Sequence, residues 1–188
     1  METILIGFGS KAKVGKDFIV SALSGIYDIE RISFADELKE DLAVALRRSG
    51  FDFKELLADP VKKELVRPLM VAYSETLKRF DQEIWVKRAL ENKMFTTNFA
   101  MITDMRFPIE IDYIRKLGGI YVEIAANVPP ANEVEAYYSP RMALMADYTV
   151  KNEFDGKFID DMLTLIEEIK KNRYGSTAKD KDSYVLWP

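Results

Sequence analysis

The sequence predicts an α/β fold: a parallel five-stranded sheet in a three-layer arrangement, with helices on both faces. Three observations carry this. Short apolar runs alternate with segments of helical periodicity along the chain. A run, a helix and a second run make a crossover unit, and such units build parallel sheets buried on both sides. Glycines and charged residues collect just after the first three runs, which is where open parallel sheets place their ligands.

The elements follow in chain order. Thr3 to Ile6 is a buried strand, and Lys16 to Ile26 a helix with Phe18, Ile19, Ala22 and Leu23 on one face. Glu30 to Phe34 is a second strand. A helix with an acidic first turn then runs from Ala35 to about Arg48 and ends at Gly50. Residues 52–92 read as mainly helical, with Pro60 and Pro68 as breaks or first-turn prolines, and with Glu83 to Leu90 as the last helix. Phe99 to Thr103 is the third strand, Pro108 to Leu117 a helix closed by Gly118 and Gly119, and "GIYVEIAA" the fourth strand. "NVPPANEVEAYYSP" shows no clear periodicity and is expected to be a loop or lid. Asp147 to Lys151 supplies a short fifth strand, Phe158 to Ile169 a final amphipathic helix, and residues from Arg173 a polar tail that ends in Tyr184-Val185-Leu186-Trp187-Pro188.

Composition narrows the chemistry. The 188 residues suit one domain, and a net charge of −4 gives no global field for nucleic acid or anionic membrane. There is no cysteine and no histidine, so thiolate chemistry, disulfides and the usual general base and zinc ligand are all absent. Catalysis would fall to Asp, Glu, Lys, Arg, Tyr or bound Mg²⁺. No signal peptide precedes the first strand, and no apolar run approaches the ~20 residues of a membrane span. The expectation is a cytoplasmic protein.

The opening "METILIGFGSKAKVGKDFIVSAL" crowds glycines and lysines between a strand and a helix. That is the setting of a phosphate loop, whose backbone N–H groups and helix N-terminus hold an anion. Ser10 to Asp17 aligns with G-x-x-x-x-G-K-[ST]: Gly15 and Lys16 match, Ser10 replaces the first glycine, and Asp17 the hydroxyl residue. A carboxylate at Asp17, beside phosphate, points to an intervening cation, so Asp17 is a candidate Mg²⁺ ligand. Asp36 follows the second strand, and Asp104 and Arg106 the third. Three polar groups at three strand ends form one constellation.

Three further stretches are specific. "SFADELKEDL" resembles the F-A-D-x-L-K segment of bacteriophage-type deoxynucleoside monophosphate kinases. "TDMRFPIEIDYIRKLGGIYVEI" resembles their T-D-x-R-F-x-x-E…I-R-x-x-G-G segment, and "VRPLMVAYSETLKRFDQEIWVKRAL" their helical R-x-L…T-E-x-x-R…W segment. Their loop commonly reads G-K-D, so Asp17 fits. The resemblance spans residues 4 to about 170. Phe18, Tyr73, Ser74 and the "YYSPR" segment depart from it.

The resemblance implies a P-loop nucleoside monophosphate kinase fold and transfer of the γ-phosphoryl of ATP to a deoxynucleoside monophosphate, with Mg²⁺. Residues 1–172 would form the kinase domain, with a helical nucleotide-binding region at about 36–92 and a lid at about 127–143, followed by a tail at 173–188. Ser10, Lys11, Ala12, Lys13, Val14, Gly15, Lys16, Asp17 and Phe18 would line the donor phosphates, with Lys11 and Lys13 as loop charges and Lys16 bridging the β- and γ-phosphates. Asp36, Lys39, Arg67, Glu75, Arg79, Asp104 and Arg106 would face the acceptor. Lys16, Asp104, Arg106 and Arg141 are the candidate catalytic residues, and Asp17 and Asp104 the candidate metal ligands. Asp36 as a plain helix cap, and Glu75 as an ion-pair partner of Arg79, are the simpler alternatives. Trp85 is expected in the core. Small-molecule nucleotides are the expected partners, without nucleic acid or membrane. The sequence is compatible with a homodimer but does not specify one, and a phage-encoded chain would act in the host cytoplasm. Two rival functions remain: another small-molecule kinase of this fold, such as a dephospho-coenzyme A kinase or a shikimate-type kinase, and a nucleotide-binding regulatory protein without turnover.

Overall fold

The computed structural model describes residues 2–9 and 11–179. The expected sheet is present. Strands β1 (Ile4–Gly9), β2 (Ile29–Ile32), β3 (Phe99–Ile102), β4 (Ile120–Ala125) and β5 (Tyr148–Lys151) lie in the order β2-β3-β1-β4-β5, and every pairing is parallel.

The period of two in the strands builds the layers. Ile4, Ile6, Phe8, Phe99, Met101, Val122 and Ile124 point to one face. There they pack on α1 (Lys16–Leu23) and α8 (Lys157–Lys179), through Ile19, Leu23, Met162 and Ile166. Leu5, Ala100, Ile102 and Tyr121 point to the other face. That face is covered by α2 (Phe34–Arg47), α5 (Ile84–Leu90), α6 (Pro108–Lys116) and α7 (Glu133–Leu144). The helices α3 (Phe53–Ala58) and α4 (Pro60–Lys78) pack on α2. Trp85 is in this second core, as expected, with its Nε1 donating to Ser74 Oγ at 2.9 Å.

Several boundaries differ from expectation, each for a physical reason. β1 continues to Gly9 rather than stopping at Ile6, because its glycines admit large neighbours: a Cβ on Gly7 would lie 2.1 Å from Met105 Sδ. Phe34 opens α2 instead of ending β2. Pro60 takes the first turn of α4, but Pro68 sits inside that helix and does not end it. The stripe Val66, Met70, Tyr73 and Leu77 holds α4 to the core on both sides of the proline.

The largest correction is at 127–140. The expected loop or lid is a helix from Glu133 onward, with Asn132 Oδ1 accepting from Glu135 N. Its buried positions are Glu135, Ser139 and Met142. The helical spacing is there, but two of the three side chains that carry it are polar. The last helix reaches Lys179, beyond the expected Ile169, because Arg173 bonds Gly118 O at 3.0 Å and Tyr174 bonds Glu2 O at 2.5 Å. Ser10 and the Tyr184–Pro188 end of the tail lie outside the described residues.

Register sets the site. Gly7 pairs with Ile102, Gly9 with Glu123, and Ile32 with Ile102. The carboxyl ends of β2 and β3 therefore finish level, β1 runs two residues and β4 four residues beyond them, and the residues that follow these strands lie along one edge of the sheet.

Candidate active site

The segment after β1 turns sharply into α1. Gly15 precedes the helix at φ 98°, a left-handed conformation that favours glycine. A Cβ there would also meet Asn152 Nδ2 at 2.8 Å. Asn152 follows β5, is 5% exposed, donates to Val14 O at 2.9 Å, and accepts from Phe154 N at 3.0 Å. The end of β5 thus buttresses the loop from behind. Asn152 carries no motif that the sequence singles out.

Lys16, at the first position of α1, folds back and donates to Lys11 O. It lines a concavity of about 350 Å³ with Ala12, Asp17, Asp104, Arg106 and Glu135. Burial lowers its pKa, and the nearby Arg106 guanidinium lowers it further, while Glu135, Glu123 and Asp104 pull it upward. Two cations are held together here. Among the described residues no carboxylate pairs with the Arg106 guanidinium. Around this concavity the cations Lys13, Lys16, Arg31 and Arg106 outnumber the carboxylates Asp17, Asp104 and Glu135 by one, and it lies over a helix N-terminus, an arrangement that suits an anion.

Asp104 lies just beyond β3. It accepts from Ser33 Oγ at 2.8 Å, Phe34 N at 2.9 Å and Ala35 N at 2.9 Å. It therefore caps α2 from another strand, and Asp36 is not the cap of its own helix. Asp36 instead pairs with Lys39 at 2.5 Å and reaches Arg31 at 3.8 Å. Arg31 holds Asp17 at 3.0 Å. Arg31 and Ser33 were invisible as site residues in the sequence, because each reads as part of a strand.

Arg106 is presented by a turn that Glu110 fixes. One Glu110 oxygen accepts from Arg106 N at 2.6 Å and from Phe107 N at 3.0 Å. Glu110 is 8% exposed, and burial pushes its carboxyl up to about 7; the two N–H bonds and Lys78 oppose that, and Asp104 adds to it. The folded protein thus binds this proton more tightly than the unfolded chain does. The stability that Glu110 contributes is complete below about pH 4.5 and is lost as pH rises through about 7. Glu110→Gln keeps the accepting oxygen and cannot ionise. Relative to the parent, the variant is expected to gain stability between about pH 5 and about pH 8, on the order of 2–3 kcal/mol. Denaturant titrations at the two pH values measure this; a constant difference between the proteins would contradict it.

Other expected residues stand apart. Arg67 pairs with Glu64 at 2.7 Å, and Glu75 pairs with Lys78 at 3.3 Å rather than with Arg79. Arg79 ends α4. These exposed positions of α4 line neither concavity. Lys78, which the sequence did not single out, sits 3.8 Å above the Phe107 ring beside the Arg106 turn. Arg141 is exposed in the last turn of α7 and lines neither concavity, so this conformation does not carry its assignment to a transferring phosphate.

On the other side of the loop lies a larger concavity of about 890 Å³, bounded by Lys11, Glu123, Asn127, Pro130, Asn152 and Phe154. Its size suits a small-molecule ligand. Glu123 is 6% exposed and accepts from Tyr121 OH at 2.6 Å. Among the described residues no group of three or more acidic side chains gathers as a metal site. None of their helices is long and apolar enough to cross a membrane.

Comparison with known proteins supplies a family and a fold. The phosphomevalonate kinase family model matches residues 8–119, more than half of the 188 residues. The crystal structure of TT1252 from Thermus thermophilus matches with a TM-score of 0.55 at 16% identity, covering 89% of this chain and 98% of that one. At this identity the likeness concerns the fold alone. A dephospho-CoA kinase from Campylobacter jejuni matches with a TM-score of 0.43 at 15% identity, covering 91% of this chain and 98% of that chain. No curated protein matches the chain.

Proposed function

This chain belongs to the phosphomevalonate kinase family, and from that premise we propose that it binds ATP on its phosphate loop and moves the γ-phosphoryl group onto a phosphate monoester. One observation carries the reading most of the way. Lys16 and Arg106 come from different strand ends into one concavity, where burial and then the Arg106 guanidinium disfavour the Lys16 charge, and among the described residues neither forms an ion pair with a carboxylate. Such an arrangement is favourable only around an anion.

The roles follow from position. The loop N–H groups and Lys16 hold the donor's phosphates, and the larger concavity across the loop takes its nucleoside. Arg106, on its turn beyond β3, clamps the acceptor's phosphate. Phosphoryl transfer needs positioning and charge neutralisation more than a strong base, and the acceptor is already ionised, so a chain without histidine can perform it. Asp17 and Asp104 line the same concavity but are engaged with Arg31 and with the start of α2. That suits Mg²⁺, which keeps much of its shell as water and phosphate oxygen and takes only one or two carboxylates. When bound, Mg²⁺ would neutralise charge on the phosphates. The α4 residues Arg67, Glu75 and Arg79 reach an acceptor only if the helical segment closes over it.

Two acceptors deserve separate tests. The family's name points to phosphomevalonate, and the "TDMRFPIE" and "SFADELK" stretches point to a deoxynucleoside monophosphate. Both present a phosphate to Arg106. Purified protein with ATP, Mg²⁺ and a panel of deoxynucleoside and nucleoside monophosphates, phosphomevalonate and dephospho-coenzyme A should yield diphosphate product from a deoxynucleoside monophosphate. Product from phosphomevalonate alone would transfer the acceptor assignment to it. Product from dephospho-coenzyme A alone, or none with any acceptor, would overturn the proposal.

A further inference from the structure

The phosphate loop already holds an anion, and the protein itself supplies it. Glu135, in the first turn of α7, is 5% exposed, and both its carboxylate oxygens lie 3.2 Å from the Ala12 N–H. One of them also accepts from Ala131 N at 2.9 Å. The carboxylate faces the concavity shared by Lys16 and Arg106, and its charge is among those that keep Lys16 protonated. A buried carboxylate is costly unless its bonds and counter-charges compensate, and here the loop provides both. The same N–H and the same cations would serve a phosphate. Two anions on one amide repel strongly in a poorly hydrated concavity, so they cannot share it.

We infer that Glu135 is a resident counter-anion of the phosphate loop: an affinity-determining residue that incoming phosphate displaces, releasing the first turn of α7. The inference rests on the phosphate-loop assignment above. It gives the polar face of α7 a purpose. Ala131 N, Ala12 N and Glu135 form one cluster, so occupation of the loop is transmitted to the segment that leads into α7. It also explains how two cations are kept close without a ligand. A fixed strut would behave in the opposite way, since removing its charge would loosen the loop and weaken phosphate binding.

The test uses the full chain and inorganic tripolyphosphate, which offers a phosphate chain without a base. Calorimetric titration compares the parent protein with Glu135→Gln and Lys16→Ala. Glutamine keeps an acceptor for Ala12 N and Ala131 N but carries no charge, and thermal melts confirm that each variant is folded. Glu135→Gln is expected to bind tripolyphosphate about fivefold or more tightly than the parent, and Lys16→Ala about tenfold or more weakly. Hydrogen exchange on the parent gives a second readout. Tripolyphosphate should speed exchange at the Ala131 amide while leaving the Ala12 amide protected. Equal or weaker binding by Glu135→Gln, with Lys16→Ala still weakened, overturns the inference and leaves the loop assignment standing. Greater protection of Ala131 on binding also overturns it. If no protein binds tripolyphosphate, or if Lys16→Ala binds as the parent does, the loop assignment fails and the inference fails with it.

Discussion

Lys16→Ala is expected to lower kcat by about a thousandfold while leaving the protein as stable as before, within about 1 kcal/mol. The first half follows from the position of the side chain. A preorganised charge aimed at a transferring group acts in a partly dry site, where one donor typically contributes several kcal/mol to the barrier. The second half follows from the field. Burial and Arg106 both disfavour the charged Lys16. Among the described residues its direct bond is one donation to Lys11 O. Alanine loses that bond and relieves the repulsion, and the two nearly offset. A residue whose removal costs activity but not stability is under functional strain. Steady-state kinetics and a thermal melt on the same preparation test both halves. Near-normal kcat would remove Lys16 from the chemistry. A large loss of stability would make it a structural residue.

How far the sequence reveals this site depends on what each residue must contact. The five strands and their order of appearance are legible because their apolar period is local. Gly15 and Lys16 are legible for the same reason, since loop and helix adjoin in the chain. Asp104 and Arg106 are legible as strand-end residues. The geometry that joins them is not. Asp104 caps α2 from 69 to 71 residues away, through Ala35, Phe34 and Ser33. Asn152 supports Val14 across 138 residues. Such contacts are set by strand order, which no local pattern contains. α7 is hidden in the sequence for a different reason: its inward face carries Glu135 and Ser139, and a search for apolar spacing passes over it. The same search passes over Glu135, whose carboxylate accepts from Ala12 N. The α4 residues show the converse situation. Arg67 and Arg79 match a motif, yet the helix surface supplies Glu64 as a partner for Arg67 at three residues' distance.

Arg106→Ala should act on one substrate only. The guanidinium stands on the turn that Glu110 fixes, lines the concavity with Lys16, and among the described residues has no carboxylate partner. It is therefore available to an incoming anion without first breaking an ion pair. Planar guanidinium and phosphate meet through two parallel charge-assisted bonds, and such a pair contributes roughly 3 kcal/mol when its surroundings are partly desolvated. Alanine should raise KM for the acceptor monophosphate by about a hundredfold, with KM for ATP changed less than about threefold. Lysine at this position restores charge but not the fork, so Arg106→Lys should recover no more than about a tenth of the lost kcat/KM for the acceptor. Because the anchor is the backbone of residue 106, both variants keep the Glu110 bonds, and their melts should match the parent. The two-substrate kinetic analysis reads the outcome directly. An effect on ATP alone would place Arg106 on the donor side of the concavity, and equal effects on both substrates would give it to the phosphoryl group in flight between them.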